Sequence, residues 1–171
     1  MSIQVGHSLP AGKLAEYVLI EGQGCAIGPN AVDIAEATAG KTIAIFGVPG
    51  AFTPTCQKSH LPGYRDQYDA FRAAGVDEIW CFAVNDAFVM GAWGQHMDVE
   101  GRLRMMADGD ATYTRALGLE LDLTGKGLGL RCQRFSMLVR DGVVTHLHVE
   151  EGGKLETSDA TTLLADAKSL S

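Results

Sequence analysis

The sequence predicts an α/β protein with a mixed central β-sheet flanked by helices. Two nearly continuous apolar runs, at residues 42–46 and 78–84, are typical of strands covered on both faces, and each precedes a segment with helical features. Further along the chain, two more apolar runs flank Asp141-Gly142, a dipeptide that favours a tight β-hairpin. The order β-α-β-α-β, then a hairpin, then a helix therefore predicts parallel and antiparallel strands in one sheet.

A helix is predicted to begin shortly after the first of these strands. Thr53 is a good N-cap, and Pro54 suits the first helical position, where no N–H group is needed. The helix is expected to continue through residues 63–72 and to end at Gly75. Pro62 removes one of its hydrogen bonds and is expected to bend it.

The remaining elements follow from short local patterns, which are weakest in residues 1–41. Asn85 or Asp86 can cap one helix, and Ser158-Asp159 can cap the last. In the helix at 86–97, the residues that recur at helical spacing are Phe88, Val89, Ala92, Trp93 and His96. The other predictions are strands at 18–20, 103–107, 135–140 and 143–149, helices at 31–37 and 112–117, and a turn at 22–25.

Length and composition exclude several classes of protein. The 171 residues fit one domain spanning 1–171, and 46% hydrophobic with 20% charged residues is ordinary for a globular chain. A formal net charge of −7 argues against nucleic acid or an anionic membrane as partner. The N-terminus lacks the pattern of a signal peptide, and no apolar run approaches the roughly 18 residues of a membrane span. We therefore expect a cytoplasmic protein.

Cys56 is the strongest candidate for a reactive group. Its place after Thr53 and Pro54 puts it in the first turn of the predicted helix. Unpaired backbone N–H groups and the positive end of the helix dipole favour an anion there, so this thiol is expected to ionise more readily than a free cysteine. A thiolate at neutral pH is a nucleophile. The other cysteines, Cys25, Cys81 and Cys132, are too irregularly spaced to indicate a disulfide framework or a zinc site.

The spacing Pro49-x-x-x-Thr53-x-x-Cys56 resembles the active-site loop of peroxiredoxins. The flanking sequence looks like that of the peroxiredoxin 5 or type II branch, which includes the plant type II enzymes. The segments that carry this likeness are Gly-Val-Pro-Gly-Ala-Phe-Thr-Pro and His-Leu-Pro-Gly. The resemblance implies a thioredoxin-like fold and a thiol peroxidase that reduces hydrogen peroxide and alkyl hydroperoxides. The Cys56 thiolate would attack the O–O bond and become a sulfenic acid. No metal, flavin, haem or other cofactor is implied.

The resemblance also implies the groups around the sulfur. Arg134 falls where type II peroxiredoxins carry their active-site arginine, and Arg131 is a weaker candidate for that position. The cradle for the peroxide oxygens would consist of Arg134, the Thr53 hydroxyl and backbone N–H groups near Cys56, all as donors. Pro49 and Phe52 would line the substrate pocket. A homodimer formed through the active-site side of the domain is expected on the same ground.

The resemblance leaves the reduction of the sulfenic acid open. Cys81 lies in a stretch that looks like the second-cysteine region of plant type II peroxiredoxins, but a thiol within a covered strand is expected to be too far from Cys56 unless the helix start unwinds. Cys132 is an open question because it is close in sequence to Arg134. No cysteine follows Cys132, so an external thiol, either glutathione with glutaredoxin or thioredoxin, is the expected reductant.

Two other functions fit parts of the same pattern. His60, four residues after Cys56, would share its helix face, and a Cys–His pair is typical of a hydrolase, although a thiolate stabilised by a helix needs no base. A redox sensor or relay would instead pass the oxidised Cys56 to partner proteins as a mixed disulfide. His146 and His148 share a strand face without a third metal ligand, which favours an ordinary half-exposed strand.

Overall fold

The computed structural model describes residues 1–18 and 27–170. Seven of the strands in this part of the chain form one sheet in the order β2-β1-β5-β4-β3-β8-β9, and β6 and β7 form a separate antiparallel pair. The strands are β1 Lys13–Val18, β2 Ile27–Asp33, β3 Thr42–Val48, β4 Glu78–Ala83, β5 Leu103–Ala107, β6 Glu120–Leu123, β7 Gly129–Cys132, β8 Phe135–Arg140 and β9 Val143–Val149.

Helices cover both faces of this sheet. They are α1 Ile34–Thr38, a π-helical segment Cys56–His60, α2 Leu61–Asp66, α3 Tyr68–Ala73, α4 Ala87–His96, α5 Thr112–Leu117 and α6 Ala160–Leu170. Strands β3, β4 and β5 are parallel, whereas β8 pairs antiparallel to both β3 and β9. The predicted α/β fold with a mixed central sheet is therefore confirmed.

Strand β3 shows why the sheet needs helices on both sides. Successive side chains of a strand point to opposite faces, and Phe46 and Val48 belong to the hydrophobic cluster that contains Cys56. Ile43 and Ile45 belong to the cluster on the other face. All four are buried, as expected for a strand that reads as a continuous apolar run.

The predicted hairpin and most predicted helix boundaries are confirmed. Asp141 and Gly142 both have positive φ, 48° and 77°, as a tight hairpin turn between right-twisted strands requires. Asp86 caps α4 by accepting a hydrogen bond from the Val89 N–H group at 2.9 Å. Asp159 accepts hydrogen bonds from the backbone and hydroxyl of Thr162 at the start of α6. No described helix is long and apolar enough to cross a membrane.

The first 41 residues differ from the prediction. Residues 31–33, predicted as the start of a helix, belong to β2, and α1 begins only at Ile34, where the Asp33 carboxylate caps the Glu36 N–H group. Strand β1 extends over residues 13–18, of which only Val18 lay in the predicted strand at 18–20. The predicted turn at 22–25, with Cys25, lies outside the described residues. Strands β6 and β7 were also not predicted, because each has only four residues and all of their side chains except Cys132 are partly or fully exposed.

The predicted apolar face of α4 is wrong in part. Of the residues at the predicted spacing, Trp93 is fully buried, but Phe88 is 56% exposed, and Ala92 and His96 are also exposed. The helix is apolar nearly all round, so its pattern does not select one face. The side of α4 that carries Gly94 is buried against β5. The contact is so close that a Cβ atom at Gly94 would lie 2.8 Å from Cγ of Met105. An apolar face of α4 consequently remains at the surface.

Candidate active site

Cys56 lies at the start of the helix that follows β3, as predicted. The helical run begins at Pro54, and the Thr53 carbonyl accepts the first helical hydrogen bond, from the Gln57 N–H group at 2.9 Å. The Thr53 side chain, however, makes no cap: its hydroxyl donates to the Gly50 carbonyl at 2.7 Å. The loop before the helix is thus closed on itself, and the hydroxyl oxygen keeps its lone pairs for another donor.

The predicted irregularity at Pro62 takes the form of a wide helical turn. Residues Cys56–His60 are π-helical, and the Leu61 N–H group donates to the Cys56 carbonyl, five residues back. Pro62 has no N–H group, and the widened turn comes just before it, so the helical run passes through the proline into α2. As a result Cys56 and His60 are both buried, with 1% exposure each.

Arg134 reaches Cys56 from the far side of the chain. It immediately precedes β8, is only 5% exposed, and its Nη2 lies 3.2 Å from the Cys56 Sγ. The neighbouring Phe135 pairs with Gly47 on β3, and a Cβ atom at Gly47 would lie 2.1 Å from the Phe135 ring. Only glycine allows this close approach, which holds the start of β8 against the end of β3.

His60 contacts Arg134 as well. Its Nδ1 lies 2.9 Å from the Arg134 Nη1, and its Nε2 lies 3.0 Å from the Ser158 carbonyl oxygen. The guanidinium can only donate and the carbonyl can only accept, so His60 is the neutral tautomer with its proton on Nε2. Burial and the positive charge of Arg134 lower the pKa of His60 to about 3.

This arrangement argues against the Cys–His hydrolase. A base that activates a thiol needs a free nitrogen lone pair, and the one lone pair of neutral His60 accepts from Arg134. The imidazole therefore cannot take a proton from Cys56 without losing that contact. Arg134, rather than His60, is the polar partner of the sulfur.

Arg131 supports the loop and makes no described contact with Cys56. Its Nη1 lies 3.4 Å from the Pro49 carbonyl and 3.3 Å from the Val84 carbonyl. On the other side of the loop, the Ala51 N–H group donates to the Asn85 Oδ1 at 2.9 Å. These contacts join the ends of β3 and β4 and hold Pro49 in place.

Phe52 occupies an unusual position beside the reactive helix. Its φ is +64°, which is rare for a bulky residue, and its side chain is 47% exposed. The ring lies against α4, with its centroid 6.2 Å from that of Trp93 and 5.7 Å from that of His96. Backbone strain of this kind concentrates at functional sites.

The thiols of Cys81 and Cys132 are fully buried. Burial raises the pKa of Cys81 well above its usual value and that of Cys132 to about 12. Cys132 donates from Sγ to the Val48 carbonyl at 3.2 Å and packs on the face of the sheet opposite Cys56, while Cys81 shares the face of Cys56. Cys56, Cys81 and Cys132 are all free thiols.

Two residues of this site were not predicted. Ser158 enters through its backbone carbonyl, which also accepts from the Tyr64 hydroxyl at 2.8 Å. The Glu150 carboxylate holds the segment that contains Ser158. Neither shows a local sequence signal, since a backbone acceptor can belong to any residue type and Glu150 is one acidic residue in a polar loop.

The described residues contain no group of three or more His, Cys, Asp or Glu placed to bind a metal ion. His146 contacts the Thr145 hydroxyl, and His148 contacts Asp166 at 2.6 Å, so the two have separate partners. A cavity of about 470 Å³ lies at the opposite end of the sheet, around the starts of β4 and β5. It contains none of the groups at Cys56, and we assign the chemistry to Cys56 on the basis of its contacts.

Comparisons with known proteins show which family the chain belongs to. The sequence profile of the Redoxin family matches residues 4–164. Peroxiredoxin-2C of Oryza sativa is 43% identical over 95% of this chain and 96% of its own length. Reduced Prx3 of Vibrio vulnificus in complex with hydrogen peroxide is 44% identical, with a TM-score of 0.87 over 96% of this chain and 99% of that one.

A structure from Burkholderia cenocepacia, described as a candidate thioredoxin reductase, is also similar, with 52% identity and a TM-score of 0.92 over 96% of this chain and 98% of that one. Its high TM-score shows the same fold. The family profile and the relative from Oryza sativa cover nearly all of the chain. The chain therefore belongs to the Redoxin family and, within it, to the peroxiredoxins.

Proposed function

We propose that Cys56 is the nucleophile of a thiol-dependent peroxidase. The observation that carries this proposal is the Arg134 guanidinium, 3.2 Å from the Cys56 sulfur at a helix start. The thiolate attacks one oxygen of the peroxide, so that an S–O bond forms while the O–O bond breaks. Cys56 is oxidised to a sulfenic acid, and the leaving oxygen takes both electrons of the broken bond and a proton, departing as water or an alcohol.

Arg134 and Thr53 have different roles in this step. Negative charge develops on the leaving oxygen, and a fixed guanidinium in a buried site stabilises it strongly. The Thr53 proton is already donated to Gly50, so we propose that the hydroxyl oxygen accepts a hydrogen bond from the peroxide O–H group. This differs from the expectation that Thr53 donates. Pro49 and Phe52 lie in the loop that borders this site, and we keep them as candidate pocket residues.

Peroxide consumption by the purified protein tests the proposal. With dithiothreitol as reductant, the wild type is expected to consume hydrogen peroxide, and Cys56→Ser is expected to lose all of this activity. Cys132→Ser is the matched control, because it changes a buried thiol on the other face of the sheet. Equal activity in Cys56→Ser and wild type would contradict the assignment. Stable mixed disulfides without turnover would indicate the relay instead.

We propose that an external thiol, from glutathione with glutaredoxin or from thioredoxin, reduces the sulfenic acid. Disulfide formation needs a thiolate, and burial disfavours the thiolate of Cys81. Cys81 can resolve Cys56 only if the helix start opens. Intact mass after one equivalent of peroxide is expected to show addition of one oxygen. A species that lacks two hydrogens, and that disappears in Cys81→Ser, would show that Cys81 is the resolving cysteine.

We propose that the protein forms a homodimer through an aromatic patch, defined as Tyr17, Phe52, Phe88 and His96. Phe88 and His96 lie on the exposed face of α4. The ring centroids of Tyr17 and Phe88 are 5.0 Å apart, and those of Phe52 and His96 are 5.7 Å apart. Exposed aromatic clusters of this kind mark interfaces.

Charge within this patch is expected to separate the protomers. Phe88→Glu would place a carboxylate in the buried centre of the interface, and sedimentation velocity is expected to show a monomer where the wild type is a dimer. Val5→Glu is the control, because Val5 is equally exposed, at 57%, and lies outside the patch. A dimer that persists in Phe88→Glu would contradict this interface.

We propose a cytoplasmic location. Free thiols at Cys56, Cys81 and Cys132 suit a reducing compartment, and this is the support for the proposal. Fractionation of cells that express the full chain tests it. Recovery of the protein from an organelle or from the medium would contradict it.

A further inference from the structure

The Glu150 carboxylate has an unusual number of donors. Its Oε1 accepts hydrogen bonds from the backbone N–H groups of Glu156, Thr157 and Ser158, at 3.0, 2.5 and 2.6 Å, and from the Thr157 hydroxyl at 3.0 Å. The residue is only 6% exposed. Burial by itself would raise the pKa of Glu150, but the three backbone N–H groups and the hydroxyl lower it to about 2. Glu150 is therefore a fixed anion at neutral pH.

These contacts determine where the Ser158 carbonyl lies. Glu150 follows β9 directly, so its carboxylate ties the segment 156–158 to the end of the sheet. The Ser158 carbonyl then points at two buried donors, the Nε2 of His60 at 3.0 Å and the hydroxyl of Tyr64 at 2.8 Å. The bond from the Ser158 N–H group to Glu150 anchors the Ser158 Cα, from which the carbonyl of the following peptide unit projects towards His60.

The position of this carbonyl determines the tautomer of His60. A carbonyl can only accept, so it holds the imidazole proton on Nε2 and leaves the Nδ1 lone pair for Arg134. Arg134 donates from Nη1 to His60 and from Nη2 to Cys56, so the first contact orients the second. The backbones of the two residues are also bonded: the Glu150 N–H group donates to the Arg134 carbonyl at 2.8 Å.

We propose that Glu150 is a positioning residue for the reaction at Cys56, acting through the Ser158 carbonyl and the His60 tautomer to aim Arg134 at the sulfur. This inference rests on the proposed function. Glu150 touches neither the sulfur nor the substrate position. Its effect is on the placement of the guanidinium, and a small misplacement of such a group can cost up to about a hundredfold in rate.

The test compares rates per reactive thiol. Rapid mixing of the reduced protein with hydrogen peroxide gives a second-order rate constant for Cys56 oxidation, and titration of Cys56 gives the fraction of active sites. Glu150→Ala is expected to lower the rate constant about tenfold or more. Glu150→Gln keeps an acceptor oxygen and is expected to recover part of the loss. Iodoacetamide alkylates Cys56 without breaking an O–O bond. In Glu150→Ala, this alkylation is expected to slow much less than the reaction with peroxide.

Asp108→Asn is the matched control. Asp108 also holds two backbone N–H groups and a threonine hydroxyl, those of Tyr113 and Thr114, but it has no contact with His60. Its loss is expected to lower stability without changing the rate constant per titrated thiol. If Glu150→Ala and Glu150→Gln, like Asp108→Asn, lower stability but leave the rate constant per titrated thiol unchanged, the positioning role is overturned.

A double-mutant cycle shows whether Glu150 acts through His60. In a His60→Gln background, Glu150→Ala is expected to have a much smaller effect on the rate constant than in the wild type, because both changes interrupt the same chain of contacts. Full additivity would overturn the route through His60. If the wild type itself shows no oxidation of Cys56, the proposed function fails. If the wild type reacts and the Glu150 variants match it, only the positioning role fails.

Discussion

Replacing Arg134 with methionine is expected to slow Cys56 oxidation by hydrogen peroxide on the order of 10²–10³-fold. The guanidinium is the polar side chain that contacts the Cys56 sulfur, from 3.2 Å, and it is 5% exposed. In this buried position water does not replace it as a donor to the leaving oxygen. Methionine keeps an unbranched apolar stem in place of the aliphatic part of arginine and removes the charge and all five N–H donors.

The measurement is again the second-order rate constant from rapid mixing. Arg131→Met is the matched control, since Arg131 is a nearby arginine whose described contacts are with the Pro49, Val84 and Leu128 carbonyls. It is expected to reduce the rate far less. Arg134→Lys keeps the charge, but one ammonium nitrogen cannot occupy the positions of both Nη1 and Nη2, so an intermediate rate is expected. Rates for Arg134→Met within threefold of wild type would refute the role.

His60 is expected to make the fold sensitive to mild acid. Its pKa is about 3 in the folded protein, against an ordinary value of 6.5, so the unfolded chain binds a proton that the folded chain excludes. Stability from this group is therefore fully present above pH 6.5 and is lost as the pH falls towards 3. Each pH unit in this window costs up to about 1.4 kcal/mol, so between pH 6.5 and pH 4.5 the loss is about 2–3 kcal/mol.

Urea unfolding at several pH values tests this prediction. His60→Gln keeps a donor for the Ser158 carbonyl but cannot be protonated, so its stability is expected to fall less than that of the wild type between pH 6.5 and pH 4.5. His7→Gln, which replaces an exposed histidine, is the control. The Glu150 carboxylate has a lowered pKa, about 2, and its contribution is lost only below about pH 4.3. Equal pH dependence in His60→Gln and wild type would contradict the prediction.

Local patterns predicted those elements that are buried on both faces or have a distinct cap. Strands β3 and β4 are apolar throughout, and Asp141-Gly142 suits only a narrow set of turns, so neighbouring residues were sufficient. Strands β6 and β7 are half-exposed, and their pairing with each other stabilises them more than their own composition does. Helix α4 was located correctly, but its buried face depends on what packs against Gly94.

Residues close to Cys56 in the chain were sufficient to predict it as the nucleophile and to predict the helix start around it. Thr53, Pro54 and Cys56 lie within four positions, and the physics of a helix start acts over that distance. The same stretch carries the resemblance that predicted the family. Arg134 could be placed only through that resemblance, because 78 residues separate it from Cys56.

The groups that surround the sulfur, and the protonation state of His60, depend on contacts between residues far apart in the chain. His60 is one helical turn from Cys56, and sequence spacing allowed it to be a base for the thiol. It became a neutral acceptor because the fold brings Arg134, 74 residues away, to one nitrogen and the Ser158 carbonyl, 98 residues away, to the other. The physical reason is that a buried imidazole takes its tautomer and charge from its partners, and those partners come together only when the sheet and α6 have packed.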